Sequence, residues 1–168
     1  TGNVSLTASG DADYSAVSTS LTVSIADNDF GANDAVINEF VADHDNAISY
    51  DTEEFIEIYG SPNTDYSSLY LLEIEGDSSS NEGAIDEVTQ LGTTDANGFL
   101  VYNFSNDLEN GTITFLLVQG FTGSAGDDID TDDDGATDNA PWFGINDGVA
   151  TQEGGPDIAY TADPAVVE

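Results

Sequence analysis

The 168-residue chain contains no lysine, no arginine, no cysteine and no methionine. Against 34 Asp and Glu it sets one histidine, so the net charge at pH 7 is −34. Lys and Arg together ordinarily supply roughly a tenth or more of a chain, and losing both removes whole classes of function. Nucleic-acid binding replaces counterions on phosphate with protein cations, and there are none. A basic patch for anionic lipid is excluded for the same reason. Lysine-ended phosphate loops, arginine fingers and Schiff-base lysines are impossible. Side chains can form an ion pair only through a protonated His44, and every trypsin-type cleavage site is gone. Without cysteine there is no disulfide scaffold, thiolate zinc site or cysteine nucleophile. No run approaches the ~20 apolar residues that span a membrane as a helix, so direct membrane insertion is not expected. The chain opens at Thr1 with neither Met nor a signal peptide, which reads as a processed chain or a piece of a longer exported protein.

What is present argues for a folded domain. Hydrophobic residues make up 39% of the chain, and 8 Phe, 7 Tyr and one Trp can furnish a core. The carboxylates must then be neutralised by something other than protein. Hard divalent cations, which take oxygen ligands, are the obvious candidates. The rhythm is all-β: short runs of Val, Ile, Thr, Tyr and Phe alternate with turns rich in Gly, Asn, Asp and Ser, and no segment sustains a 3.6-residue apolar period. Val4, Leu6 and Ala8, then Leu21, Val23 and Ile25, alternate with polar residues, which predicts an N-terminal β-hairpin over 1–30, buried on one side. Residues 31–34 read as a linker. Strands are expected at 35–40, 55–59, 69–75, 98–102 and 112–118, the last preceded by the turn signal Asn110-Gly111.

The sharpest local signal lies in the acidic loop 127–138. Asp130, Asp132, Asp134, Gly135 and Asp138 fit D-x-D-x-D-G-x-x-D, the front of an EF-hand-type calcium loop. Alternate carboxylates of a tight loop point inward, and Gly at the sixth position permits the sharp turn. Ala136 would offer its backbone carbonyl, and Asp138 would bind directly or through water. The bidentate Glu of the twelfth position is missing, since Pro141 stands there. A later ligand would come from Asp127, Asp128, Asp147, Glu153 or Asp157. The predicted calcium ligands are therefore Asp128, Asp130, Asp132, Asp134, Ala136 and Asp138, with Asp27 and Asp29 as a weaker second site. Glu39 and Glu57 are expected on neighbouring strands. They, Glu54, Glu73 and Glu75 read as lining the wet faces of strands. Trp142 is expected to pack over the core beneath the acidic loop, and His44 to lie in a surface loop.

Several stretches carry family resemblances. Val4-Ser5-Leu6-Thr7-Ala8 and Ser20-Leu21-Thr22-Val23-Ser24-Ile25-Ala26-Asp27-Asn28-Asp29 resemble the last two strands of a Calx-beta domain, whose terminal acidic cluster often contributes to calcium binding. Ile37-Asn38-Glu39 followed by Glu54-Phe55-Ile56-Glu57-Ile58-Tyr59 and Leu69-Tyr70-Leu71-Leu72 is similar to the lamin-tail domain over about 35–160. The acidic loop is similar to the DxDxDG loops of dockerins and thrombospondin type 3 repeats. These resemblances imply an immunoglobulin-like antiparallel β-sandwich over 35–168, carrying a calcium loop and preceded by the hairpin. The expected function is a non-catalytic, calcium-binding structural or adhesion module of an extracellular or cell-surface protein. Its partners would be calcium ions and other protein subunits. The hairpin is either the tail of a partial Calx-beta domain or a pair of strands that adds to a neighbouring copy in a filament. The alternative is an accessory domain of a secreted calcium-dependent hydrolase, a nuclease or phosphatase.

Overall fold

The computed structural model describes residues 2–7, 18–23, 35–42, 54–104, 108–161 and 166–167. Among the described residues there is no helix and there are ten strands: β1 (Gly2–Thr7), β2 (Ser18–Val23), β3 (Val36–Val41), β4 (Glu54–Tyr59), β5 (Leu69–Glu75), β6 (Ile85–Gln90), β7 (Phe99–Phe104), β8 (Ile113–Gln119), β9 (Gly144–Gln152) and β10 (Val166–Val167). Three of them are not anticipated above: the two-residue β10, and the longer β6 and β9. Both longer strands are rich in Asp, Asn, Gly or Gln, and their pairing rather than their composition makes them strands.

β1 and β2 pair antiparallel as a separate two-stranded sheet. The remaining strands form a three-stranded sheet, β3-β4-β7, and a larger one, β10-β9-β8-β5-β6, antiparallel except where β10 joins β9. The smaller sheet packs on the larger through Ile56, Ile58, Leu69, Leu71, Phe115 and Leu117. Phe40 meets Phe115 edge-on with ring centroids 5.2 Å apart. Each such side chain fully withdrawn from water contributes roughly 1.5–3 kcal/mol. This is a two-layer all-β arrangement of the sandwich type.

The larger sheet is covered on its second face as well. Leu72, Ile74, Leu116 and Val118 point away from the smaller sheet and bury Ile85 and Ile129, with Tyr70, Phe121, Trp142 and Tyr160 packed against them. The continuous apolar run of β8 follows: a central strand buried on both faces has no wet row to alternate with.

Three β-bulges adjust the faces. Ile37 pairs with Ile58 but Glu39 pairs with Glu57, so Asn38 is extra. Likewise Asp86 is extra in β6, between Ile85 opposite Ile74 and Glu87 opposite Glu73, and Asn146 is extra in β9. An inserted residue shifts the alternation by one. That shift is why Ile37 and Phe40, three apart, both face the inter-sheet core, and why Ile85 and Val88 share the outer cluster.

Candidate metal centre

The acidic loop is fastened before it turns. Ala84 and Asp128 form an antiparallel bridge, the Ile129 N–H donates to the Gly83 carbonyl at 2.9 Å, and the Ile85 N–H donates to the Asp127 carbonyl at 2.9 Å. Residues 127–129 thus extend the larger sheet beyond β6. Ile129 is fully buried in the outer cluster. The loop then closes on itself, with the Asp138 N–H donating to the Ile129 carbonyl at 2.7 Å. Asp133 takes a positive φ of 53° and Gly135 one of 86°, so the turn that called for glycine in the sequence is present at Gly135.

Asp130 is the fixed point of this loop and is fully buried. It accepts the Gly135 N–H at 2.8 Å, the Asp134 N–H at 3.3 Å and the Tyr160 hydroxyl at 3.0 Å. Burial, and then the hydrogen bond to Asp130, hold the Tyr160 hydroxyl well above the usual phenol range, so it stays a donor. Asp138 accepts the Thr131 N–H and hydroxyl at 3.1 and 2.7 Å. One carboxylate oxygen from each of Asp130, Asp132 and Asp138 lies within 4.8 Å of the others, a grouping that can hold a metal ion. The crowding shows electrostatically: Asp134 and Asp138 raise the Asp132 carboxyl above its ordinary range.

The other predicted ligands stand differently. Asp128 accepts the Asp130 N–H at 2.9 Å, and Asp134 accepts the Ala136 N–H at 2.9 Å. Neither belongs to the converging set of three. Asp157 accepts from Ser78 and Thr112, Asp147 from the Ile37 N–H, and Asp127 from the Ser124 N–H. Asp27 and Asp29, His44 and the linker 31–34 lie outside the described residues. Trp142 packs against the outer cluster that contains Ile129.

Glu82 was not singled out in the sequence. Its Oε1 is buried with no hydrogen-bond partner. Burial, followed by repulsion from Asp133 and Asp130, raises its carboxyl above the ordinary range. It sits one residue before Gly83, 48 residues away from Asp130 in the chain (130 − 82), and no local spacing links the two.

A second group that can hold a metal is Glu75, Asp86 and Glu109, again with oxygens within 4.8 Å of one another. Here the wet-face reading of the glutamates is overturned: Glu54, Glu73 and Glu75 are 1%, 1% and 5% exposed. Glu73 and Glu75 continue the row of Leu69 and Leu71, which faces the smaller sheet. The alternation is as expected, but both faces of β5 are covered. Glu39 and Glu57 do face each other across β3 and β4, and Glu57 accepts the Asn38 amide at 2.7 Å. Neither belongs to a metal-holding group.

Comparison of the chain with protein-family models, with curated proteins and with solved structures finds no match.

Proposed function

We propose that the chain is a non-catalytic, calcium-binding structural or adhesion module of an extracellular or cell-surface protein, built as a lamin-tail-like, immunoglobulin-type sandwich. The observation that carries this reading is the convergence of Asp130, Asp132 and Asp138 within 4.8 Å on a loop fastened to β6. Three carboxylates at that separation repel one another, and no lysine or arginine exists to offset them. A hard cation with oxygen ligands converts the repulsion into coordination. Calcium suits the loop better than magnesium, because it accepts six to eight oxygens in adaptable geometry while magnesium demands a near-octahedral shell. Extracellular calcium modules have dissociation constants near ~10⁻⁴–10⁻³ M, so such a site fills outside a cell and empties inside one.

A ligand that binds only the folded state adds stability by mass action, about 2.7 kcal/mol per site at 100 times its Kd. For a domain of this size that is a rise of roughly 5–10 °C in Tm. Thermal melts in EDTA, in millimolar calcium and in millimolar magnesium provide the check. The expected outcome is a rise specific to calcium. An equal shift in magnesium, or none in either, would remove calcium from the reading.

A subunit role is supported by the β1–β2 pair. A two-stranded sheet is marginal by itself, and strands that add to a neighbouring copy gain main-chain hydrogen bonds. Calcium-dependent polymers are expected in electron micrographs at high protein concentration. Sedimentation as a monomer under the same conditions would end the filament reading and leave the calcium module standing.

A further inference from the structure

The second acidic group lies where Leu108 and Glu109, which precede β8, meet β4 and β5. Their consecutive amides reach down into the interior. The Leu108 N–H donates to Glu54 Oε2 at 3.1 Å and the Glu109 N–H donates to Glu73 Oε1 at 2.8 Å. The second bond ties the Glu73 carboxyl to the Glu109 backbone. On the other side stands Asp86, the inserted residue of the β6 bulge. With Ile85 and Val88 both committed to the outer cluster, the extra residue re-aims the carboxylate of Asp86 toward Glu75 and Glu109, within 4.8 Å of each.

One atom in this arrangement has nothing to bind. Glu73 is 1% exposed, and its Oε2 is buried with no hydrogen-bond partner. A buried carboxylate oxygen left in this way carries an uncompensated desolvation cost. Its surroundings add repulsion rather than relief. Burial, with Asp86, Glu109 and Glu87 nearby, pushes the carboxyl up to about 8 despite the bond from Glu109. Burial, and repulsion from Glu75, Glu109 and Glu87, push Asp86 up to about 6. Every member of the group is an oxygen donor, and no cationic side chain exists in the chain apart from a protonated His44.

We propose that Glu75, Asp86 and Glu109 form a second divalent-cation site, with exposed Asp86 and Glu109 at its mouth and buried Glu75 as its floor, and that a bound ion draws in the unpartnered, buried Glu73 Oε2, which stands outside that converging set. The donors are all carboxylates, and two are partly committed: Glu75 Oε1 accepts the Asp77 N–H at 2.7 Å, and Glu73 Oε1 holds Glu109. One free oxygen from each of the four, completed by water, matches the oxygen-only coordination of calcium. The ion would clamp β5, β6 and the β7–β8 connection together. The acidic loop takes no part, so this site stands or falls independently of that one.

Calcium chloride titrated calorimetrically into the whole chain tests it, with magnesium chloride as control. Asp86 and Glu109 are exposed, so the double variant Asp86→Asn/Glu109→Gln keeps the core, which circular dichroism verifies. That variant is expected to bind one fewer calcium ion than the unaltered chain, or to bind it at least about tenfold more weakly, as expected when ligand charge is removed. Asp130→Asn/Asp132→Asn is expected to retain this site. Unchanged stoichiometry and affinity in the first variant would overturn the proposal. So would loss of all calcium binding in the second, or no calcium binding by the unaltered chain. Glu73→Gln isolates the drawn-in carboxylate: its melting temperature in EDTA should hold or rise, while the calcium-induced gain shrinks. Calcium binding by Glu73→Gln equal to that of the unaltered chain would remove Glu73 from the site and overturn it as drawn.

Discussion

Asp130 does two jobs that are usually divided. Its three accepted hydrogen bonds shape the loop, and the same carboxylate stands in the converging set with Asp132 and Asp138. Asp132, fully exposed, has only the second role. Replacing both by asparagine removes two formal charges while nearly conserving shape. Asp130→Asn/Asp132→Asn is expected to weaken calcium binding at the loop at least about tenfold, since affinity follows ligand charge. Calorimetric titration reads this directly, and unchanged affinity would sink the loop assignment. The melting temperature in EDTA should hold or rise in the same variant, because relief of repulsion opposes any loss of loop hydrogen bonding.

At the level of the element, the loop depends on the turn that precedes β6. Gly83 has φ of +84°, and a Cβ placed there would stand 3.0 Å from both Asp128 Oδ1 and Asp130 Cβ. The Gly83 carbonyl also holds Ile129. A side chain at this point forces either the backbone or the loop to move. Gly83→Ala is expected to cost roughly 1–3 kcal/mol, the usual range for a non-glycine residue held in a sparsely populated conformation. It should also lower calcium affinity by displacing Asp130. Melts in EDTA measure the first effect and calcium titration the second. A variant with normal stability and normal calcium binding would show that the loop is not seated through Gly83. The bulges at Asn38, Asp86 and Asn146 act at the same level, since each decides which residues of its strand face the core.

Over the whole molecule, the charge of −34 makes stability a matter of what neutralises it. In EDTA, with divalent ions removed, protons are what neutralise the buried carboxyls. Glu73 holds its proton up to about 8 when folded against an ordinary value of 4.5, and Asp86 up to about 6 against 3.8. Between those values the folded chain binds protons that the unfolded chain has released, so stability falls as pH rises. Only below about 3.8 are both groups mostly neutral in both states, and the penalty of ionising them in the fold grows from there until pH passes about 8. The expected result is a melting temperature in EDTA that declines from about pH 5 to about pH 8. Saturating calcium should flatten that decline. A melting temperature that rises steadily across this range in EDTA would show that these buried carboxyls are stabilised by something else.

Much of the β-architecture is legible in the sequence. Strands expected at 55–59, 69–75 and 112–118 lie at Glu54–Tyr59, Leu69–Glu75 and Ile113–Gln119, because Val, Ile, Leu and aromatic runs bounded by Gly, Asn and Asp have few other uses. The D-x-D-x-D-G spacing likewise marks a loop whose carboxylates and glycine are local to one another, and local geometry is what spacing encodes. β6 and β9 were not legible, since hydrogen bonding to β5 and β8, not hydropathy, makes them strands. Nor was the burial of Glu73 and Glu75. Alternation tells which residues share a face, but not whether a second layer covers it, and here the smaller sheet covers one face and the acidic loop the other. Glu82 beside Asp130, and Asp86 and Glu109 against Glu75, are long-range neighbours that only folding brings together. The sequence by itself determined the all-β class of the fold and the chemistries that its missing residue types exclude. Tertiary structure decided which carboxylates converge, because that depends on strand register and bulges that no single segment contains.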